Sequence, residues 1–336
     1  MSLNIAVVGA GFMGELHART VKESTAATLV GVVDLNETVG RPVAEGLGVA
    51  YLPSVAEALA GGTVDAFIVA LPDKLHEDAA VEILRAGKPV LLEKPMAHTL
   101  EVARRIAAAA EEGGARLMVG QIMRFDPRYA GAAAAVRDGK IGEPLHFKAG
   151  RIASRAVGTR MNGSSSVLFY VGIHDVDAVQ WITGQPITRV YSRAVRKLMP
   201  SLGVESEDAI LSVVDLANGG VGELFNGWTR PEDTPVQIDG RLELFGTEGI
   251  VEIDVRDHGM KIYGKDAFEL PDALHWPEVN GLIGGDLAAE VAHFVDAVAH
   301  DKPFVITVEE ALRDVAVNDA ILRSVDSGVP EDVEQI

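Results

Sequence analysis

The stretch LNIAVVGAGFMG, residues 3–14, decides the fold. It joins a β-rich run, Leu3–Val8, to the spacing G-x-G-x-x-G, which opens an amphipathic helix. Gly9 permits the tight turn, Gly11 lets the backbone approach a pyrophosphate, and Gly14 lets the helix pack close to its strand. A helix N-terminus also offers N–H donors and the positive end of a dipole to phosphates. The stretch therefore predicts a strand, loop and helix that bind a dinucleotide.

An acidic residue at the end of the next strand indicates which dinucleotide. The apolar run Leu29–Val33 ends on Asp34, twenty residues beyond Gly14. A carboxylate there accepts hydrogen bonds from the ribose hydroxyls of NAD and repels the 2′-phosphate of NADP. We therefore expect NAD as the cofactor, with NADP disfavoured. Arg41 could meet a 2′-phosphate, although we expect it on the following helix.

A further loop is expected at the same edge of the sheet as the glycine loop. A buried strand ends at Leu71 and Pro72, and the chain then turns into a helix with His76 in its first turn. Since the carboxyl ends of parallel strands share one edge, these three residues are candidates for contact with the cofactor, together with Phe12 and Met13 of the glycine pattern. A structural role is the alternative for His76.

The segment PVLLEKP, residues 89–95, is where cofactor and substrate are expected to meet. Its apolar centre is typical of a strand buried on both faces, and Pro95 cannot donate to a ladder, so the strand should end there. Glu93 and Lys94 then lie at the carboxyl edge, where open α/β sheets bind ligands. An ammonium at that edge can hold a hydroxyl and bias its proton. The alternative is a solvent-exposed lysine at a strand end.

Composition excludes several classes of function. The 336 residues are 48% apolar and carry a net charge of −19, which disfavours nucleic acids and anionic membrane surfaces. The absence of cysteine excludes disulfides, thiolate catalysis and iron–sulfur clusters, and fits a reducing cytoplasm. We find no signal peptide and no apolar stretch long enough to span a membrane, so we expect a cytoplasmic protein.

The pattern of elements predicts an α/β protein of two domains. Residues 1–122 alternate strands and helices, which predicts an N-terminal Rossmann domain with a doubly wound parallel sheet of six strands. In residues 123–336, adjacent β-rich runs separated by turn residues predict an α+β domain with a large, open, mainly antiparallel sheet and two C-terminal helices.

Four segments carry a resemblance to a known family: Gly9–Gly14, Glu93-Lys94-Pro95, Met123-Arg124-Phe125-Asp126-Pro127 and His174-Asp175-Val176-Asp177. In this order and spacing they resemble the Gfo/Idh/MocA oxidoreductases, the family of glucose-fructose oxidoreductase and the inositol dehydrogenases. The resemblance covers essentially the whole chain. It implies NAD or NADP bound between the two domains, hydride transfer at a sugar or cyclitol hydroxyl, and a homodimer or homotetramer formed through the open sheet.

The resemblance also implies roles for individual residues. Lys94 is similar to the family's catalytic lysine, and His174 to its active-site histidine. Substrate contacts are expected from both, with Met123, Arg124 and Asp177 as further candidates; Arg155 and Arg160 are others. Charged residues of this kind also occur simply as surface or capping groups.

The chain departs from the family at one position. The family commonly has an aspartate four residues before the histidine, where this sequence has Tyr170. Residues four apart on a helix share a face, so Tyr170 and His174 can converge on one substrate. A phenol there can hydrogen-bond the substrate or relay a proton, which makes Tyr170 a catalytic candidate; packing is the alternative.

The expected activity is that of an NAD-dependent dehydrogenase acting on a small-molecule polyol or sugar. Lys94 would hold the reacting oxygen and His174 would take its proton. No metal is expected, because adjacent residues of a helix diverge and no third ligand is evident beside His174. An NAD-retaining glycosidase and a non-catalytic dinucleotide- or sugar-sensing regulator remain alternatives.

Overall fold

The computed structural model of the protein describes residues 2–236, 238–265 and 268–336. It divides into two compact units, the first formed by Met1–Phe125 with Leu274–Leu312 and the second by Asp126–Ala273 with Arg313–Ile336. The division predicted from the sequence, at residue 122, placed the whole C-terminal part in one domain. The structure differs because a late segment packs into the core of the first unit.

Strands and helices are numbered in chain order. The strands are β1 (Leu3–Val8), β2 (Ala27–Val33), β3 (Ala50–Leu52), β4 (Ala66–Val69), β5 (Val90–Glu93), β6 (Leu117–Gly120), β7 (Pro144–Ser154), β8 (Ile187–Val195), β9 (Ala209–Leu216), β10 (Val221–Arg230), β11 (Ile238–Gly246), β12 (Ile250–Asp254), β13 (Ile262–Tyr263), β14 (Phe268–Glu269), β15 (Glu278–Val279), β16 (Leu282–Ile283) and β17 (Glu331–Asp332). The helices are α1 (Phe12–Glu23), α2 (Glu37–Leu47), α3 (Val55–Ala60), α4 (His76–Arg85), α5 (Leu100–Gly113), α6 (Pro127–Arg137), α7 (Arg155–Met161), α8 (Ile173–Thr183), α9 (Leu198–Ser201), α10 (Gly285–Ala299) and α11 (Val308–Ser327).

The first unit contains the predicted Rossmann sheet. Its six strands lie in the order β3-β2-β1-β4-β5-β6, and the neighbouring pairs are parallel. Strand order reverses between β1 and β4, and in such sheets ligands bind outside the carboxyl ends of the strands at that point. The strands β4, β5 and β6 are buried along their whole length, as expected for strands covered on both faces.

Helix α10 explains why this unit extends beyond the predicted domain. Its residues Val291, Phe294 and Val295 are at most 1% exposed and share one apolar cluster with Ile5 of β1 and Met118 of β6. The sequence predicted two C-terminal helices, but a pattern of apolar residues does not say which sheet the apolar face of a helix will cover. Burial against the Rossmann sheet decides it.

The second unit is built on a seven-stranded sheet. Its order is β12-β11-β7-β10-β9-β8-β17; β7 and β10 pair in parallel, and the other neighbouring pairs are antiparallel. The predicted large, mainly antiparallel sheet is therefore confirmed. Strand β9 alternates buried and exposed residues, which is typical of a sheet with one face packed on a core and the other uncovered within the chain.

Local signals fix several helix ends. Thr99 caps α5 by accepting a hydrogen bond from Val102 N–H, and the side chain of Thr307 accepts one from Glu310 N–H at the start of α11. Gly184 ends α8 in the left-handed conformation. Within the described residues, no helix combines the length and the apolar character needed to cross a membrane.

Candidate active site

The glycine loop lies at the reversal of strand order in the first unit. Gly9 has φ +97°, and a Cβ on it would lie 2.6 Å from Ala70 O at the end of β4. A Cβ on Gly14 would lie 1.9 Å from Gly9 O, whereas one on Gly11 meets nothing within 4 Å. Gly9 and Gly14 are therefore required by the fold itself, and Gly11 leaves an open cradle at the N-terminus of α1.

Phe12 and Met13 are differently placed around this cradle. Phe12 is 69% exposed, and its ring makes an edge contact with Trp276, with 5.9 Å between the ring centroids. Met13 is half-buried. Their contact with a cofactor stays a prediction.

Asp34 is held at the end of β2 beside the glycine loop. Its Oδ2 accepts a hydrogen bond from Ala10 N–H at 2.9 Å, and its Oδ1 accepts one from Asn36 N–H at 2.8 Å. Each carboxylate oxygen can accept more than one hydrogen bond, so capacity remains for a ribose diol. The contact with Ala10 also ties the acid to the loop that would hold the phosphates.

Arg41 lies on α2, as the sequence suggested. Its guanidinium pairs with Glu37 at 2.7 Å and lies 4.8 Å from the centroid of the Tyr51 ring. These two partners orient the side chain along its own helix. The chemistry around Asp34 therefore suits NAD better than NADP.

The loop after β4 is tied to the loop after β5 through His76. This ring is 1% exposed, with Nε2 2.9 Å from Leu71 O and Nδ1 3.0 Å from Pro95 O. Burial lowers the pKa of His76, although both main-chain oxygens act in the opposite direction. A neutral imidazole has a single N–H, so it donates to one of these oxygens at a time. His76 thus positions two loops, with Pro72 exposed beside it; cofactor contact by these residues stays a prediction.

Glu93 is the buried member of the pair at the end of β5. Its Oε1 lies 2.8 Å from Nε2 of His17 on α1, and its Oε2 accepts a hydrogen bond from Lys94 N–H at 3.1 Å. Burial raises the pKa of Glu93, but hydrogen bonding to His17 and the nearby positive charge of Lys94 act in the opposite direction, and the pKa falls below its usual range. An ionised Glu93 thereby fixes the backbone of Lys94, whose side chain is half-buried.

Met123 and Arg124 are mostly buried in the first unit. Met123 is 3% exposed. The guanidinium of Arg124 donates to Val305 O at 2.8 Å and to Glu310 Oε1 at 2.9 Å. These contacts give Arg124 a structural task at the start of α11, and a contact with substrate stays a prediction.

In the second unit, Tyr170 lies on a single turn of π-helix, Leu168–Gly172, that leads into α8. Its phenol oxygen accepts a hydrogen bond from Arg160 at 3.0 Å, and its ring lies 5.8 Å from that of Trp228. Such single turns of π-helix are frequent at functional sites. The simple spacing of four residues on an α-helix, used to relate Tyr170 to His174, therefore does not apply across this turn.

A buried polar network fixes the helix that carries His174. Next to it in sequence, Asp175 contacts Arg151 of β7 at 3.3 Å and accepts a hydrogen bond from Asn226 at 2.8 Å. Arg151 also donates to Tyr129 at 3.2 Å. Burial raises the pKa of Tyr129 to about 12, so the phenol stays neutral. His174 is half-buried, whereas Asp177, proposed for substrate, is 1% exposed.

Sequence reasoning missed this network and the π-helical turn. A signal for the network existed, since Arg151 occupies a position in β7 that faces the core and a buried guanidinium needs a partner. The sequence did not indicate that the partner would be Asp175. No sequence signal marked the π-helical turn.

Comparison with known proteins places the chain in a family. A model described as oxidoreductase family, NAD-binding Rossmann fold, matches residues 3–121, and a model of the GFO/IDH/MocA C-terminal domain matches residues 129–252. The chain is 28% identical to an inositol 2-dehydrogenase of Rubrobacter xylanophilus, over 99% of this chain and 93% of that protein. It is 33% identical to inositol 2-dehydrogenase 2 of Saccharopolyspora erythraea, over 66% and 69% of the two chains.

Solved structures agree with the fold. GenD2 from gentamicin A biosynthesis, in complex with NAD, is 28% identical and superimposes with a TM-score of 0.86 over 99% of this chain and 97% of that one. A myo-inositol 2-dehydrogenase from Lactobacillus plantarum, 21% identical, has the same TM-score over 99% and 100% of the two chains and supports the fold alone. With both domain models matched in order, the chain belongs to the Gfo/Idh/MocA oxidoreductase family, and its N-terminal domain is an NAD-binding Rossmann domain.

Proposed function

We propose that the protein is an NAD-dependent dehydrogenase that transfers hydride between the nicotinamide and a secondary hydroxyl of a cyclitol or sugar. The observation that carries the proposal is Lys94, which follows β5 at the carboxyl edge of an NAD-binding sheet and is fixed there by Glu93. Relatives named inositol 2-dehydrogenase and scyllo-inositol 2-dehydrogenase (NAD(+)), 28% and 27% identical over 99% and 97% of this chain, support a cyclitol as substrate.

The residues of the first unit fit NAD. The open space above Gly11 accepts a pyrophosphate that a Cβ would obstruct, and Asp34 has acceptor capacity left for the ribose hydroxyls. We assign the cofactor site to these residues with Gly9, Gly14, Phe12, Met13, Leu71, Pro72, His76, Glu93 and Lys94. When bound, NAD supplies a hydride acceptor.

We assign the reacting oxygen of the substrate to Lys94 and the proton that it loses to His174. The ammonium of Lys94 holds the reacting oxygen of the substrate and stabilises the negative charge that develops there as the hydroxyl proton leaves. His174 accepts that proton, and Tyr170 relays it or holds a neighbouring hydroxyl. Hydride loss from carbon and proton loss from oxygen together leave a ketone, which requires no metal.

Further substrate contacts are assigned to Met123, Arg124 and Asp177. All three are largely buried, and Arg124 already binds the start of α11. We propose that each of them contributes a contact to the substrate.

The test is NAD reduction against a panel of inositols, aldoses and sugar acids, with nitrophenyl glycosides alongside. Lys94→Met should lower kcat on the preferred substrate by several orders of magnitude with little change in NAD affinity, because the glycine loop holds the phosphates. His174→Ala should also lower kcat, and the exposed Lys140→Met serves as the matched control. Full turnover by Lys94→Met would refute the assignment. Glycoside cleavage without net NAD reduction would indicate a hydrolase, and NAD binding without turnover a regulator.

We propose that copies of the chain associate through the uncovered face of the seven-stranded sheet. Tyr191, Leu211, Val213 and Val221 are 40% to 57% exposed on β8, β9 and β10, and apolar patches of this kind mark interfaces. Light scattering should give the mass of a homodimer or homotetramer, reduced by Val213→Lys but not by Val279→Lys in the first unit. A monomeric unmodified protein would refute this. The cytoplasmic location stays a prediction.

A further inference from the structure

The carboxyl group of Glu290 lies behind the end of β5 in the first unit. Glu290 belongs to α10 and is 1% exposed, and both of its carboxyl oxygens lack a hydrogen-bond partner among the described residues. A Cβ added to Gly120 would lie 3.5 Å from one of these oxygens and 3.6 Å from the other, with Leu92 O at 3.5 Å. A buried carboxyl group therefore sits against the carboxyl ends of β5 and β6.

Its neighbours are the groups that position Lys94. One ligand-type atom each of His17, Glu93 and Glu290 lie within 4.8 Å of one another, and all three residues are buried. Glu93 already accepts hydrogen bonds from His17 and from Lys94 N–H. With Nε2 of His17 donating to Glu93, its Nδ1 is an acceptor, and this atom too has no partner among the described residues.

Charge decides the protonation state of Glu290. The charged or titratable groups around the cluster are His17 on α1, Glu93 and Lys94 at the end of β5, His76 on α4, and Asp286 on α10. As a second carboxylate beside Glu93, Glu290 would have no hydrogen-bond donor among the described residues. Burial raises the pKa of Glu290 well above its ordinary value, and the charges of Glu93 and Asp286 raise it further.

We propose that Glu290 is a positioning residue that acts as a neutral carboxylic acid and donates its proton in a hydrogen bond to the Glu93 carboxylate. Glu93 then has three donors, namely Glu290, His17 and Lys94 N–H, which hold it and the backbone of Lys94 in one place. A protonated Glu290 supplies a donor to Glu93, whereas an ionised Glu290 would place a second acceptor beside it. The inference rests on the proposed function only through the role of Lys94.

The arrangement predicts that stability and kcat depend on pH in the alkaline range. A carboxyl group whose pKa is raised by folding contributes stability that is complete below its unfolded pKa and is lost as pH rises through the folded pKa. Ionised Glu290 would repel Glu93 and disturb the backbone of Lys94. The protein should therefore lose both stability and kcat on the alkaline side.

The experiment compares Glu290→Gln, Glu290→Leu and the exposed control Glu111→Gln with the unmodified protein. A glutamine amide can still donate to Glu93 but cannot ionise. We expect Glu290→Gln to keep kcat within about threefold at neutral pH, and Glu290→Leu to lose about tenfold to a hundredfold in kcat with an unchanged KM for NAD, because Lys94 is misplaced. As the pH is raised above neutrality, the melting temperature of the unmodified protein and of Glu111→Gln should fall, with a smaller fall for Glu290→Gln.

Two results would overturn the proposal. One is a melting temperature of Glu290→Gln that follows the unmodified protein over the whole pH range. The other is one metal ion per chain by elemental analysis, with inactivation by chelator and loss of the ion in Glu290→Gln, which would make the cluster a cation site. The melting curves need no substrate, so they test the proton on Glu290 even if Lys94→Met retains turnover and the proposed function fails.

Discussion

Alanine at Gly11 should weaken NAD binding and leave the stability of the fold unchanged, whereas alanine at Gly14 should destabilise the fold. The two positions are three residues apart in the same motif, yet their surroundings differ. A Cβ at Gly14 meets Gly9 O at 1.9 Å and Gly9 C at 2.8 Å, both main-chain atoms that cannot rotate away. A Cβ at Gly11 meets nothing within 4 Å, at φ −73° and ψ −172°, which alanine adopts without strain.

These contacts give the magnitudes. At Gly11, the smaller entropy of the unfolded chain stabilises by about 0.4–1 kcal/mol, and the loss of a favourable N-cap residue costs a similar amount, so we expect a net change within about 0.5 kcal/mol. At Gly14, the higher helix propensity of alanine stabilises by about 1 kcal/mol. The overlap of its Cβ with Gly9 O forces a backbone shift, and overpacking of this kind typically costs about 1–3 kcal/mol. Because the contact is so short, we expect the cost at Gly14 to exceed that range. Gly14→Ala should therefore be clearly destabilised.

Thermal unfolding and NAD titration measure the two effects separately. Gly11→Ala should melt within about 2 °C of the unmodified protein and bind NAD at least about tenfold more weakly, since its methyl group occupies the approach of the pyrophosphate. Gly14→Ala should melt several degrees lower. Unchanged NAD affinity in Gly11→Ala would refute the placement of the pyrophosphate over this residue, and a normal melting temperature in Gly14→Ala would refute the close packing of α1 on β1.

Two further predictions concern the cofactor and the proton. Asp34→Asn keeps an acceptor for Ala10 N–H but loses the negative charge. In parallel titrations, NAD affinity should therefore fall about tenfold, and the preference for NAD over NADP should narrow. If the unmodified protein binds NADP more tightly than NAD, the assignment of Asp34 to the ribose hydroxyls is wrong. Tyr170→Phe keeps the ring beside Trp228 and removes only the oxygen that Arg160 contacts, so a proton relay predicts a loss of about a hundredfold or more in kcat at constant NAD affinity. An unchanged kcat would leave Tyr170 as packing and His174 as the sole base.

Much of the first unit could be predicted from the sequence because its signals involve neighbouring residues. The turn at Gly9 needs positive φ, and the acid at the end of β2 follows its strand directly. Each signal involves residues close together in the chain, so its physical cause is contained in the sequence that displays it. The family resemblance extended this reading to His174, which no local pattern would have singled out.

Partners far apart in sequence were decided only by the tertiary structure. Arg124 binds Glu310, 186 residues away, and His17 binds Glu93, 76 residues away. Helix α10 carries a readable apolar face, yet the sheet that it covers, and therefore the position of Glu290 behind Lys94, depends on which surfaces exclude water together. The sequence by itself determined the Rossmann motif, its preference for NAD and the place of Lys94 at a strand end. Burial and charge around that lysine arise only when distant segments meet, because a pKa depends on the groups packed against a residue and not on its neighbours in the chain.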